Sequence, residues 1–471
     1  MGETLPLFKT SFNHAVQVES RPEHLTGDAG AVIQRELMDR LEIIDWLGEH
    51  LRDRRDASRI THPLTDLIRT HLLLLGQGWR DQDDADRLRD DPALRVAQSS
   101  RRGQTPLDEG QVLASQPTLS RLIENLSTDH NRAVLRAAIT EAAVRRIRMT
   151  NRGRKRKTLT LDVDSLPVEV HGHQAGSEWN KYYGRRIYHP LVASCAETGD
   201  LLDAVLRPGN VGTAEGGLEF ILKQVDRCRN QLAQRVLVRF DAGFPDGKTL
   251  AGLEARGVDY MARIRNNAVL DAMAQPHLKR PPGRPPEQPR VWCHEYRYQA
   301  QSWDRARRVV LVVLEQPDDL FLHHFWLITN LSPKQCDGQQ LLARYRQRGK
   351  AEAHMGELMD VLDPALSASP RPWHDADTFQ PRLTEAGVYR NNETLFLLHL
   401  LAYEILHTGR AIMERATGQG WSLRRFRERL LRVAARVVSK SRRLTFVIAW
   451  SAAGDWSRFW QKLQHYRWSP G

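Results

Sequence analysis

Residues 158–264 set the strictest limit on what this chain can fold into, because they switch from helical to strand periodicity and then alternate between the two. Residues 158–170 alternate apolar and polar side chains, and 187–196 and 201–206 read as two further strands. A helix over 213–231, a strand over 236–240, a helix over 247–256 and a strand over 260–264 follow. Three successive strands and then alternating helices and strands predict an α/β class, with a mixed sheet covered by helices on both faces.

That element order is the one of the ribonuclease H-like fold, whose acidic site lies where the first and fourth strands run side by side. Around it, residues 1–150 are mainly helical: 31–51 and 63–75 have helical apolar spacing, and 133–147 is rich in helix formers. Between them Asp81, Asp83, Asp84, Asp86, Asp90 and Asp91 read as the solvated face of a short helix. Residues 276–289 carry Pro281, Pro282, Pro285 and Pro286, which suit neither helix nor central strand. Strand-like runs at 291–300, 307–314 and 324–329 make 265–335 a β-rich insertion. A helix over 339–362 resumes the core within 338–375, and 380–471 returns to helix. The expectation is a ribonuclease H-like mixed sheet with a β-rich insertion, flanked by helical N-terminal and C-terminal regions.

Lys and Arg number 69 against 57 Asp and Glu, a formal net charge of +12. Basic surface binds phosphate by releasing condensed counterions, so the expected partner is a polyanion, nucleic acid before membrane. Basic side chains gather at Arg145, Arg146, Arg148, Arg152, Arg154, Lys155, Arg156 and Lys157, just before the first acidic strand, and again at Arg424, Arg425, Arg427, Arg429, Arg432 and Arg436. Cys195, Cys228, Cys293 and Cys336 are widely spaced and form no C-x-x-C pair. That indicates neither a disulfide framework nor a zinc site, and a reducing, cytoplasmic setting is expected. No basic-then-apolar leader opens the chain. The most apolar stretch, 395–406, is short, contains His399 and Glu404, and reads as a core helix.

Three acidic side chains carry the chemistry. In the first strand Leu159, Leu161 and Val163 lie on one face and Thr160, Asp162 and Asp164 on the other, so parity does not choose between Asp162 and Asp164. Two carboxylates on one face of a buried sheet need neutralising, and a bound cation supplies it. Asp241 follows the apolar Val236, Leu237, Val238 and Phe240 at the C-terminal end of its strand, where open α/β sheets bind ligands. Glu352 shares a helix face with Tyr345 and Arg348 in the spacing Y-x-x-R-x-x-x-E. That spacing is ordinary on a solvated helix; its place after the insertion gives it weight, and an arginine fork suits phosphate. Carboxylates on neighbouring strands and on a helix can hold two divalent cations about 3.5–4 Å apart, the geometry for in-line attack on phosphorus. His171 and His173 read as polar-face residues near this site, not as ligands. Of Trp292, Trp303 and Trp326, in or beside the insertion, Trp303 is the most loop-like and is placed to stack on a displaced base.

On these residues the chain resembles the DDE-type transposases of bacterial insertion sequences, in the group whose acidic triad is split by a β-rich insertion. The resemblance rests on Asp164-Ser165, Asp241-x-Gly243-Phe244 and Tyr345-x-x-Arg348-x-x-x-Glu352. Arg207-Pro208-Gly209-Asn210, Asp90-Asp91-Pro92 and Pro117-Thr118-Leu119-Ser120-Arg121 are further landmarks, and the likeness runs over nearly the whole chain. It implies that Asp164, Asp241 and Glu352 form a metal-binding catalytic triad, with Asp164 preferred over Asp162, and that two Mg²⁺ ions, or Mn²⁺ in their place, serve as cofactor. It also implies that Tyr345 and Arg348 contact transposon-end phosphates and that residues 1–150 bind DNA. The implied partners are double-stranded transposon ends and target DNA, engaged by a homodimer. Met359 stands where related transposases often carry Lys. The competing expectations are a catalytically silent DNA-binding regulator on the same scaffold and a structure-selective nuclease that does not join strands.

Overall fold

The structure, a computed structural model, describes residues 8–9, 11–18, 23–99, 107, 112–151, 153–170, 172–283, 286–317, 319–368, 385–440 and 443–465. Contacts divide the chain into two units. One comprises residues 1–44, 55–122 and 408–466, the other residues 45–54, 123–407 and 467–471.

The second unit is built on one eight-stranded sheet. Its strands are β1 (Arg156–Ser165), β2 (Leu191–Cys195), β3 (Leu201–Val205), β4 (Ala233–Phe240), β5 (Asp259–Ile264), β6 (Arg290–Tyr298), β7 (Arg307–Glu315) and β8 (His323–Thr329). Their spatial order is β6-β7-β8-β5-β4-β1-β2-β3. The central strands β1, β4 and β5 are parallel, and the outer ones add on antiparallel. Helices α1 (Gly217–Gln231) and α2 (Gly247–Ala255) make the crossovers, so the first five strands have the ribonuclease H-like order.

Parallel strands covered on both faces need apolar side chains on each. Leu159, Leu161 and Val163 of β1 meet Val236, Val238 and Phe240 of β4, and Ile221 and Val225 of α1, in one buried cluster. Each such side chain contributes roughly 1.5–3 kcal/mol on burial. A one-residue slip of β1 would put Asp162 and Asp164 into that core, which fixes the register.

The insertion extends this same sheet. β8 pairs with β5, Trp326 opposite Ile264, and β7 and β6 continue outward. Val309, Leu311 and Val313 face the main cluster, while Val310 and Val312 face a second one with Leu341 and Leu342. The run expected as a strand over 187–196 is two pieces, Arg185–Tyr188 and β2. The break falls at Pro190, which has no N–H to give a central ladder. Arg185–Tyr188 joins Val168–Glu169 and Glu178–Asn180 in a small three-stranded sheet.

Helix Asp129–Thr150, grouped by sequence with the N-terminal region, belongs to the unit of the large sheet. Its Arg136 holds Asp203 of β3 at 2.7 Å, and its buried Arg146 pairs with Asp200. The basic run before β1 is therefore partly structural: Arg145 also pairs with Glu141 at 2.7 Å.

In the first unit the acidic stretch forms the short helix Asp84–Arg87, and Asp91 caps helix Pro92–Gln98 by accepting from the Ala93 and Leu94 N–H groups at 2.9 Å. The C-terminal region departs from the all-helical expectation. Ala435–Lys440 and Arg443–Ile448 pair antiparallel and take up Leu25–Thr26 as a third strand, because runs rich in Val and Ile suit a pleated surface. Its arginines mostly make internal contacts: Arg425 lies 4.1 Å over the Trp421 ring and Arg429 pairs with Asp455 at 2.7 Å. Residues 395–406 lie in helix Glu385–Thr417, and no described helix is long and apolar enough to cross a membrane.

Candidate active site

β1 and β4 run parallel with Val163 opposite Phe240, so the next residues on each chain, Asp164 and Asp241, come abreast at the C-terminal ends of the strands. Each carboxylate is steered by its own turn. Asp164 Oδ1 accepts from the Ser165 N–H at 2.9 Å, and Asp241 Oδ1 accepts from the Gly243 N–H at 2.8 Å. Gly243 is needed for close approach, since a Cβ there would lie 2.9 Å from Thr213 Cγ2 and 3.1 Å from Asp241 Oδ1. Phe244, buried against Phe240, pins the far end of that turn.

The third carboxylate arrives on a bent helix. α3 (Gly338–Arg346) and α4 (Arg348–Glu357) meet at Gln347, and a π-helical turn, Leu358–Leu362, follows. Asp337 starts α3 with a capping box to Gln340. Leu341 and Leu342, with the Tyr345 ring beside them, bury one face against the second cluster. That docking brings Arg348 to the strand ends. Its Nη2 donates to Asp164 Oδ2 at 2.5 Å, and its Nη1 donates to Glu352 Oε1.

The groups share one electrostatic field. Burial pushes the Asp164 carboxyl up to about 6; Asp241 and Glu352 add to the rise and Arg348 opposes it. Burial works against the Arg348 charge, yet Asp164, Glu352, Tyr345 and Asp241 outweigh it and leave its pKa raised. The Tyr345 phenol is raised by burial first, with Asp241 and Glu352 adding and Arg348 and Arg263 opposing. Among the described residues no three Asp, Glu, His or Cys side chains are gathered closely enough to hold an ion as they stand, and Glu352 accepts from Arg348. The donor chemistry nevertheless fits a divalent cation: the ligands are hard carboxylate oxygens, and burial first, then Asp241 and Glu352, disfavours the bare Asp164 charge that a cation would neutralise.

The family model of the transposase DDE domain, group 1, matches residues 8–364. The chain belongs to the DDE transposase family. The protein is thus a DNA transposase, an enzyme of metal-dependent strand cleavage and transfer, and its family works with divalent metal ions. No curated protein matches the chain. Among solved structures, the cryo-EM structure of the piggyBac transposase synaptic complex with hairpin DNA is similar over 85% of this chain and 79% of that one, at 12% identity and a TM-score of 0.41.

Within the transposase the two aspartates of β1 have different partners. Arg239 Nε and Nη2 donate to Asp162 Oδ1 and Oδ2 at 2.5 and 2.6 Å, and Arg239 Nη1 donates to the Arg344 carbonyl at 2.5 Å. Both side chains are buried. Asp162 therefore has an internal cation, where the sequence reading expected a bound one to serve both aspartates. Arg239 is absent from that reading; its signal is an arginine within the apolar run 236–240, where a buried guanidinium demands a carboxylate.

Trp303, expected on a loop and free to stack, is buried in the transposase core at 8% exposure. The β6–β7 turn folds it inward against Tyr298, with the Arg307 guanidinium 5.4 Å from its ring. Trp326 is fully buried and Trp292 half-buried. Met359 is half-buried in the π-helical turn, and His173 is exposed; His171 lies outside the described residues. All four cysteines are free thiols.

Proposed function

We propose that the transposase cuts DNA at the ends of its own insertion sequence and joins the freed ends to target DNA, with Asp164, Asp241 and Glu352 holding two Mg²⁺ ions. The observation that carries this reading is the convergence of the three carboxylates at the C-terminal ends of β1 and β4, where Arg348 pairs with both Asp164 and Glu352. Bound there, the ions would supply Lewis-acid stabilisation and a more acidic attacking water or hydroxyl, with Mn²⁺ able to substitute.

The rest falls to the side chains. Arg348, released from Asp164 and Glu352, presents its planar fork to two oxygens of the scissile phosphate. The Tyr345 phenol, its pKa raised, keeps its proton at neutral pH and donates a hydrogen bond beside it. Each chemical step is an attack by oxygen on phosphorus, first by water and then by a 3′-hydroxyl, so one constellation serves cutting and joining. No covalent protein–DNA intermediate is needed. Two ends must be brought together, which favours a homodimer assembled on DNA in the cytoplasm, and residues 1–150 are the proposed DNA-binding region.

The test is incubation of the purified protein with DNA carrying the element's terminal repeats, with and without Mg²⁺. Metal-dependent nicking and joined products are expected. Nicking without joining would make the protein a nuclease, and end-binding without nicking a regulator.

A further inference from the structure

The small sheet beside the triad ends in a hairpin with bare aromatic rings. Glu178–Asn180 pairs with Arg185–Tyr188, and the turn between them holds Lys181, Tyr182, Tyr183 and Gly184. Trp179 is 60% exposed and Tyr182 is 88% exposed. Large aromatics left in water on one hairpin mark an interaction surface.

The base of the hairpin is built to be rigid. Asn180 Oδ1 accepts from the Tyr182 and Tyr183 N–H groups at 3.0 and 3.3 Å, and its Nδ2 donates to the Gly209 carbonyl at 2.8 Å. Gly209 lies so close beneath that a Cβ would stand 2.1 Å from the Ile187 oxygen and 2.6 Å from the Glu178 oxygen. Buried Arg207 fastens the same turn by donating to the carbonyls of His189, Gly212 and Glu215 at 2.9, 3.1 and 2.7 Å. The hairpin also hangs on the segment that follows the catalytic strand: Tyr188 pairs with Val168, four residues past Asp164. Asp164 and Asp241 both act on the half-buried Tyr183 phenol, after burial itself, to raise its pKa, which agrees with that closeness.

Charge indicates what the rings meet. Lys181 is exposed at the tip, and Arg185 and Arg186 flank it, paired with Glu169 at 2.5 Å and Glu178 at 3.9 Å. A cationic tip bearing flat rings, next to a site that cuts DNA, suits a polyanion with exposed base faces. Paired bases are already stacked and offer the rings nothing, whereas a frayed or cut strand does.

We propose that this hairpin grips unpaired nucleotides flanking the scissile phosphate, with Tyr182 and Trp179 stacking on bases and Lys181 taking a backbone phosphate. The proposal rests on the transposition reading above.

The test uses the full-length protein and two labelled probes, a fully paired terminal-repeat duplex and the same duplex with an unpaired thymidine flank at the cut site. Binding is followed by fluorescence anisotropy. Trp179→Ala and Tyr182→Ala should each weaken binding to the flanked probe roughly fivefold to a hundredfold and leave the paired probe unchanged. Tyr182→Phe should bind both like the wild type, and Lys181→Ala should reduce the salt slope by about one phosphate. Equal affinity of the alanine variants for the flanked probe, or equal losses on both probes, overturns the proposal. So does loss of self-association with DNA affinity intact, which would give the patch to a second copy. Wild-type nicking in Mg²⁺ is scored in parallel. Nicking together with unaltered binding by the alanine variants overturns the hairpin alone, and no nicking by the wild type overturns the reading beneath it.

Discussion

Arg239 reaches from β4 to Asp162 on β1 through two bonds of 2.5 and 2.6 Å, each partner two residues before Asp241 and Asp164 respectively. Its third bond, to the Arg344 carbonyl, ties in α3, which leads to Arg348 and Glu352. One buried guanidinium thus links β1, β4 and α3, the helix that leads through Gln347 into α4 and Glu352. Removing one partner leaves a charge stranded out of water, so Arg239→Met or Asp162→Asn alone should lower stability by about 3–5 kcal/mol. Asp162→Leu combined with Arg239→Met should recover most of that loss in urea unfolding. The double variant still lacks the tie to Arg344, and it should nick DNA roughly tenfold to a hundredfold more slowly. A double variant that nicks at the wild-type rate would reduce the pair to a packing role.

Arg348 bridges Asp164 and Glu352, and it is the group best placed to exchange those carboxylates for a phosphate. Arg348→Ala should slow cleavage on the order of a hundredfold and weaken binding to transposon ends more than to random duplex. Lys should rescue only part of this, because a point charge does not reproduce the fork. Met359, at the position where the resemblance leads one to expect Lys, leaves less redundancy to mask the loss. Gel-shift and nicking assays on the Ala and Lys variants measure both effects.

Much of this was legible in the residues. Alternation in β1, apolar runs in β4 and β7, and the turn at Asp241-x-Gly243 each follow from local chemistry, and they give the sheet and the ends of its strands. What stayed hidden was long-range pairing. Parity puts Asp162 and Asp164 on one face but cannot say that Arg239, 77 residues away, claims the first. Flanking Ser302 and Asp304 suggest a loop for Trp303, yet the hairpin around it folds the indole into the core. The bend at Gln347 breaks no apolar period, so a continuous helix was the natural reading. The strands after residue 434 lie in an arginine-rich run whose charge hides its Val and Ile content.

The pH dependence has a definite sign. Asp164 has a folded pKa of about 6, raised from 3.8, so the folded protein holds this proton more tightly than the unfolded chain. In metal-free protein its contribution to stability is full below about pH 4 and is lost as pH climbs through 6. Proton and metal compete for the same oxygens, so apparent Mn²⁺ affinity should rise between about pH 5 and 7. Calorimetric titration across that window checks this, and Asp164→Asn should flatten the profile.

The net charge of +12 implies phosphate contacts that release counterions. Log affinity for end DNA should fall by roughly 0.9 per phosphate neutralised for each unit rise in log salt. Binding that barely changes between low and physiological salt would remove nucleic acid from the interpretation of that charge.

The most direct measurement is metal-dependent nicking of terminal-repeat DNA by Asp164→Asn, Asp241→Asn and Glu352→Gln. Each substitution keeps the side chain's shape and removes its charge. All three variants should fold and bind end DNA nearly as the wild type does, and all three should nick only at background in Mg²⁺ or Mn²⁺. A wild-type rate in any one of them would contradict the assignment of that residue to the triad.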